Sequence, residues 1–175
     1  ELSARLYGGD REMRAQQEII LGIGGVRALR ALGYDPQVWH LNEGHAAFVA
    51  LQRIWTQLEQ GQSFEDALAE VRRTTVFTTH TPVPAGNDEF PVWLIDKFFS
   101  HVWEEMKMTR DQFIDMARNQ QDWGETFSMP VLALRFSSRT VRLAALAVVV
   151  AAAFLLLLAQ LEVAGRLAER FLGFP

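Results

Sequence analysis

Two histidine-containing segments are the part of this sequence whose residue types could do chemistry. The first is Val38–His45, VWHLNEGH, and the second is Thr75–Asp88, TVFTTHTPVPAGND. Each begins like a short buried strand and continues into a polar loop, which contains His45 in one case and His80 in the other. Ligands of open parallel sheets bind outside the carboxyl ends of the strands. We therefore expect the two loops to share one pocket.

The histidines in these loops are candidates for binding a sugar or moving a proton. An imidazole can hydrogen-bond a hydroxyl group and can act as an acid or a base near neutral pH. Two histidines at successive strand ends favour a functional interpretation of His45 and His80. His40 on the predicted strand and His101 on a predicted helix are interpreted as structural.

Other chemistry is less well supported by the residue spacing. Glu43 and Asp88 could form a carboxylate pair for glycoside hydrolysis, but nothing in the sequence places them at a working separation. We predict no metal site, because the chain has no HExxH motif or comparable ligand spacing, and it has no cysteine. The glycine run at 22–25 lies inside a predicted helix rather than after a strand, so it fails as a phosphate loop. We expect it to permit close helix packing instead.

Alternating helices and strands must position these loops. Hydrophobic periodicity predicts strands at 38–41 and 74–79 and helices at about 11–32, 46–60, 64–73, 92–106, 110–118 and from 129 onward. The predicted N-caps are Asp10, Ser63, Thr109 and Ser128. Residues 119–126 are predicted to form a polar loop. A strand–helix–helix–strand order predicts a right-handed crossover in a parallel sheet, and hence an α/β fold.

Side-chain environments follow from these elements. The helical tryptophans are predicted to be core residues: Trp55, Trp93 and Trp103. A set of arginines is predicted to lie on a solvated or salt-bridged surface: Arg11, Arg14, Arg72 and Arg73.

Composition divides the chain near residue 142. The net charge of −4 over 175 residues, without a basic patch, offers no electrostatic basis for binding nucleic acid. Residues 143–161, LAALAVVVAAAFLLLLAQL, carry no charge and approach the ~20 residues needed to cross a bilayer. Arg135, Arg139 and Arg142 precede this run and would place its N-terminal side in the cytoplasm. The alternative is a buried helix of a larger protein.

A series of motifs runs through the chain in order: LYGGDREMR at 6–14, QE at 17–18, GIGGVRAL at 22–29, WHLNEGH at 39–45, TVFTTHTPVPAGND at 75–88 and FSMPVLAL at 127–134. The series resembles the α-glucan phosphorylases, the family of glycogen, starch and maltodextrin phosphorylases, and its bacterial branch in particular. The resemblance implies a glycosyltransferase B fold of two Rossmann-like domains. Residues 1–139 would be part of the N-terminal domain, and residues 140–175 an atypical hydrophobic tail.

The resemblance also implies a reaction, which is phosphorolysis of α-1,4-glucan at its non-reducing end by inorganic phosphate. The product is glucose 1-phosphate, and the cofactor is pyridoxal phosphate, used through its phosphate group. His80 would be the catalytic histidine that contacts the glucosyl unit. Asn42, Glu43 and His45 would shape the sugar pocket. Asp10 would belong to a segment that gates access to it. The two-carboxylate scheme would not apply, and the parent is expected to be a cytoplasmic homo-oligomer.

This chain departs from the family in what it lacks. The lysine and the basic residues that bind cofactor and phosphate belong to the family's second domain, so we expect the chain alone to be inactive. The chain begins at Glu1 without a signal peptide and is expected to come from inside a longer protein. We interpret the tail as a frame artefact or the product of a decayed gene. Two alternatives stay open: a non-catalytic, membrane-anchored glucan-binding remnant, and a nucleotide-sugar glycosyltransferase of the same fold.

Overall fold

The computed structural model of the chain describes residues 8–80 and 87–173. Part of the second histidine loop, residues 81–86, lies outside the described residues. The chain divides into two compact units after Ser138. The helices of the first unit are α1 (Arg11–Ile19), α2 (Gly25–Ala31), α3 (Phe48–Glu59), α4 (Phe64–Arg73), α5 (Val92–Glu105), α6 (Arg110–Ile114) and α7 (Met129–Arg135).

The two predicted strands pair in parallel, as expected. Strand β1 (Trp39–Asn42) lies beside β2 (Thr75–Thr78), and Leu41 is the partner of Phe77 in the register. Both of these side chains are buried, which explains why such short apolar runs form strands. Helices α3 and α4 connect the strands, so the fold mixes helix and parallel sheet as an α/β fold does.

The first predicted helix is interrupted by a wider turn. Asp10 caps α1 as predicted, because its side chain accepts a hydrogen bond from the Met13 N–H at 2.9 Å. A π-helical turn, Ile20–Gly24, then separates α1 from α2. A Cβ on Gly22 would lie 2.5 Å from the Cβ of Phe48, so the predicted close packing is confirmed there. Gly25 makes no such approach.

Two of the other predicted caps form and one does not. The Ser63 hydroxyl accepts from the Asp66 N–H at 3.1 Å. Thr109 and Gln112 form a capping box, each side chain accepting from the other's backbone N–H. Ser128 stands at the N-cap of a helix that begins at Met129, as predicted, but its side chain makes no cap hydrogen bond and its backbone belongs to a strand.

That strand is part of a sheet that the sequence patterns did not predict. Strands β3 (Glu89–Pro91), β4 (Arg118–Gln121) and β5 (Gly124–Ser128) form an antiparallel sheet in the order β3-β5-β4. The prediction of a loop at 119–126 is therefore wrong, and the helix predicted to reach residue 118 ends at Ile114. Strand β4 is all polar and has no apolar alternation, so its backbone pairing with β5 defines it rather than its side chains.

Aromatic rings form the centre of the first unit. Phe48, Phe99, Phe113 and Phe127 contact one another in a closed set, with ring centroids 5.0 to 6.3 Å apart. Phe48 comes from α3, Phe99 from α5 and Phe113 from α6, and Phe127 comes from β5. The cluster therefore packs three helices and the antiparallel sheet into one core. Trp55 is buried and Trp103 packs against the core, as predicted.

The predicted core position of Trp93 is wrong. Its side chain is 59% exposed at the start of α5, where the neighbouring Leu94 and Ile95 take the buried face. The helical period therefore places the indole outside, although its size suggested burial.

The second unit is one helix, α8 (Arg139–Leu172). An 18-residue window within its segment Arg139–Leu167 has a mean hydropathy of 2.7, and none of that window is buried. By length and composition it could cross a membrane. Side chains such as Leu155 and Val148 are well over half exposed.

Candidate functional site

The candidate site begins where β1 and β2 end side by side. Asn42 is the last residue of β1 and is exposed, and Glu43 follows it. The Glu43 N–H donates to the Thr78 carbonyl at 2.9 Å, so the parallel ladder extends one residue past the strand. The backbone then turns sharply, with a φ of 65° at Glu43, and its side chain is buried. The strand ends therefore bring the two predicted loops together.

The buried carboxylate of Glu43 holds the loop that follows β2. Its Oε1 accepts the His80 backbone N–H at 3.1 Å and lies 3.1 Å from His80 Nδ1. Its Oε2 accepts the Thr79 hydroxyl at 3.0 Å. The imidazole of His80 is 67% exposed, so one ring nitrogen is oriented by the protein while the ring itself faces solvent. A carboxylate at Nδ1 selects the tautomer and the ring orientation of a histidine.

His45 lies in a short 3-10 turn, Gly44–Ala46, directly after this pair. A Cβ on Gly44 would lie 3.1 Å from Pro130 Cδ, so the turn packs closely against the start of α7. Burial is the main cause that lowers the pKa of His45, and the positive charge of Arg14 lowers it further. The carboxylates of Asp88 and Glu43 act in the opposite direction. His45 is therefore a neutral imidazole at neutral pH, which can both donate and accept a hydrogen bond.

An arginine and two carboxylates form a partly buried cluster beside His45. Arg14 Nη2 lies 2.9 Å from Glu18 Oε1, and Arg14 also pairs with Asp88. Burial, the hydrogen bond with Asp88 and the negative charge of Asp88 raise the pKa of Glu18 to about 10, against the opposing effect of Arg14. Glu18 therefore holds a proton at neutral pH.

Arg14, Glu18 and Thr79 are site residues that the sequence interpretation missed. Arg14 was predicted to be a surface residue, but its side chain is only 11% exposed. Its i, i+4 spacing to Glu18 on the face of α1 that also carries buried Ala15 could have revealed a buried pair. The other arginines of that predicted set, Arg11, Arg72 and Arg73, are exposed.

The structure brings only some of the predicted site residues into direct contact. Glu43 and His80 are in direct contact, and His45 lies within electrostatic reach of Glu43. Asp10 is exposed at the N-cap of α1, where its side chain accepts the Met13 N–H and its carbonyl accepts the Arg14 N–H at 3.0 Å. His40 contacts the Thr78 hydroxyl on the neighbouring strand, in keeping with a structural role.

Neither a metal ion nor pyridoxal phosphate finds a fitting site among the described residues. Within residues 8–80 and 87–173, no group of three or more histidine, aspartate or glutamate side chains could hold a metal ion. Pyridoxal phosphate needs a lysine and phosphate-binding groups in an enclosed site. The lysines of this chain, Lys97 and Lys107, are both exposed, and Lys97 Nζ pairs with Glu12 at 2.5 Å. These residues do not fit the cofactor.

Several known proteins similar to this chain are glycogen or maltodextrin phosphorylases. No family model matches the chain. The chain is 48% identical over 133 residues to the maltodextrin phosphorylase of Thermococcus litoralis, which is 76% of this chain and 15% of that protein. It is 52% identical over 100 residues to the glycogen phosphorylase of Mycobacterium tuberculosis, 54% of this chain and 12% of that protein. It is 34% identical over 137 residues to the glycogen phosphorylase of Aquifex aeolicus, which is 78% of this chain and 20% of that protein.

The matches cover at most 20% of the length of these relatives, so they concern a part of each enzyme. Within that part the identity is high and extends over about half to three quarters of this chain. The predicted resemblance is therefore confirmed: the chain is homologous to a segment of the glycogen and maltodextrin phosphorylases.

Proposed function

We propose that this chain is a fragment of an α-1,4-glucan phosphorylase, which releases glucose 1-phosphate from the non-reducing ends of glycogen or maltodextrin. The substrates of the parent enzyme are then α-1,4-glucan and inorganic phosphate. The observation that carries the proposal is the pairing of Glu43 with His80 at adjacent strand ends, in a chain similar to enzymes with these names. The mixed fold is compatible with part of a Rossmann-like domain of the glycosyltransferase B type, comprising residues 1–139.

In this proposal the site residues bind and orient the sugar. His80 contacts the glucosyl unit, and Glu43 is the positioning residue that holds its imidazole. Asn42 and His45 shape the pocket, and Asp10 belongs to the segment that controls access. A fixed polar group near the reacting sugar stabilises the charge that develops in an oxocarbenium-like transition state. The Arg14–Glu18–Asp88 cluster supports the wall of this pocket.

The proposal assigns the cofactor to another part of the parent protein. Pyridoxal phosphate would supply proton exchange with inorganic phosphate through its own phosphate group. Since Lys97 and Lys107 do not fit it, we expect residues 1–175 alone to be inactive. We expect the parent to be a cytoplasmic homo-oligomer.

The test is a substitution of His80 in the complete parent enzyme. We expect His80→Ala to lower the turnover of glucan phosphorolysis by ~100-fold or more, because an oriented group at the reacting centre is lost. His101→Ala, which removes an exposed histidine on α5, is the matched control and should leave turnover unchanged.

Unchanged turnover in His80→Ala would contradict the role of this residue. A spectral titration of the parent with pyridoxal phosphate tests the family assignment separately. Failure to bind the cofactor would favour the nucleotide-sugar glycosyltransferase.

A second candidate is a membrane-anchored glucan-binding remnant without catalytic activity. The observation that favours it is α8, whose apolar side chains are exposed over the charge-free run 143–161. Membrane fractionation of the native protein tests it, because a product found in the soluble fraction would exclude an anchor.

A further inference from the structure

A pocket beside the first turn of α1 adjoins the site described above and has Asp88 in common with it. Its volume is ≈ 460 Å³. Its walls come from α1, from β3 with the residues before it, and from the β4–β5 hairpin: Arg11, Asn87, Asp88, Glu89, Phe90, Gln121 and Trp123. Most of these side chains are polar or charged, and the indole of Trp123 is the largest apolar group among them.

The indole of Trp123 is exposed and yet held in place. It lies in the turn between β4 and β5, and 50% of its surface is accessible. The guanidinium carbon of Arg11 lies 4.3 Å from its ring centroid, which is a cation–π contact between two separate elements. A ring supported on one side in this way offers a flat apolar surface to a ligand. Trp93 is similarly exposed, but it does not line the pocket.

The polar walls of the pocket are oriented by their own partners. Glu89 Oε1 accepts Asn119 Nδ2 at 2.8 Å, and its Oε2 accepts the Thr126 hydroxyl at 3.1 Å. Asp88 pairs with Arg14. The formal charges of Arg11 and Arg14 balance those of these two carboxylates, so the wall has no net charge to attract a phosphate or another anion. The remaining acceptor capacity of the carboxylates suits hydroxyl donors.

A ligand that matches these walls has an apolar face and a rim of hydroxyl groups. A glucopyranose ring has both, since its C–H groups can pack on an indole while its hydroxyls bind carboxylates and the amide of Gln121. Asp88 belongs both to this pocket and to the cluster that influences His45, so pocket and site share a wall.

We propose that this pocket is a secondary carbohydrate subsite that holds a glucosyl unit other than the one contacted by His80. Trp123 is its stacking surface, and Arg11 supports that surface. The identity of the ligand as an α-glucan rests on the proposed function. The pocket then determines how strongly the enzyme prefers longer glucans, because only a longer chain occupies both places.

The test compares Trp123→Ala with Trp93→Ala in the complete parent enzyme. Binding of maltotriose and maltoheptaose is measured by calorimetry, and KM and kcat are measured with both. We expect Trp123→Ala to weaken maltoheptaose binding by about tenfold, as loss of one aromatic contact does, with kcat retained. Maltotriose binding should change much less. Trp93→Ala should behave as the wild type.

Equal effects of Trp123→Ala on both oligosaccharides, or no effect on maltoheptaose, would overturn the proposal. A Trp123→Phe variant separates stacking from folding, because it keeps an aromatic ring in the turn. Recovery of most of the lost affinity in Trp123→Phe supports stacking, and no recovery contradicts it. If wild-type protein binds maltoheptaose through Trp123 but does not phosphorolyse it, the subsite stands and the phosphorylase assignment fails.

Discussion

Glu43 combines a buried carboxylate with a backbone conformation that residues other than glycine seldom adopt. Its φ of 65° costs roughly 1 kcal/mol or more for a residue with a Cβ. The hydrogen bonds from Thr79 and His80 to its carboxylate offset this cost. Strained residues of this kind concentrate at functional sites. The geometry of Glu43 thus supports, at the scale of one residue, the choice of the strand ends as the site.

Glu18 leads to a prediction about pH and stability. Its pKa is raised from 4.5 to about 10 in the folded protein, chiefly by burial, so the folded state binds this proton more tightly than the unfolded state does. The resulting stabilisation is complete below the unfolded pKa and is lost as pH rises towards about 10. We therefore expect the Tm of the wild type to fall between about pH 6 and about pH 9.

Glu18→Gln should reduce this slope, since a neutral amide of the same shape cannot lose the proton. Scanning calorimetry at several pH values measures this slope. At the alkaline end, the fall in Tm should be smaller in Glu18→Gln than in the wild type by at least ~2 °C. Glu105→Gln, at an exposed position on α5, is the control. An unaltered pH slope in Glu18→Gln would mean that Glu18 is already ionised in the folded protein.

The contact between the π-helical turn and α3 is the clearest case in which packing between elements depends on one residue. At Gly22, an added Cβ would also lie 2.8 Å from the backbone C of Phe48 and the backbone N of Val49. Backbone atoms cannot rotate away as a side chain can. Phe48 belongs to the aromatic cluster, so a displacement here would disturb the core.

Gly22→Ala should lower the free energy of unfolding by ~1–3 kcal/mol, because it overpacks this contact. Gly25→Ala is the matched control, since no heavy atom lies within 4 Å of its added Cβ. Alanine is the better helix former, so Gly25→Ala should be neutral or stabilising by up to ~1 kcal/mol. Urea unfolding of both variants measures the difference. Equal stabilities would show that the π-helical turn and α3 can separate at low cost.

At the scale of the whole molecule, the two units differ in how far their apolar side chains are exposed to solvent. The unit that ends at Ser138 has an aromatic core, whereas α8 exposes apolar side chains on all sides. A helix that is hydrophobic all round needs an apolar environment. Its charge-free run is bordered by Arg142 and Glu162, as a membrane-spanning segment would be.

Arginine substitution tests whether α8 enters a bilayer in cells that express this chain. Ala153→Arg, near the centre of the run, should abolish carbonate-resistant membrane association, because a central arginine costs ~2.5–3.5 kcal/mol. Ala164→Arg lies beyond Glu162 and should retain the wild-type distribution. Identical fractionation of the two variants would argue against a spanning helix.

The sequence alone determined the features that depend on local periodicity and on neighbouring residues. Helix caps at Asp10, Ser63 and Thr109 follow from short-range hydrogen bonds, and the parallel pair β1–β2 follows from its two apolar runs. The motif series was specific enough to identify the phosphorylase resemblance. The roles of Asp10, Asn42, Glu43, His45 and His80 in binding sugar stay predictions.

Only the tertiary structure decided the features that depend on contacts between distant residues. Strand β4 exists because its backbone pairs with β5, and no pattern in its polar side chains indicates this. The protonated state of Glu18 depends first on its burial and then on Asp88, which is far away in the sequence but adjacent in space. The Glu43–His80 contact likewise requires the parallel register to align two strand ends. Long-range pairing and burial set these properties, and neither is encoded in a local stretch of sequence.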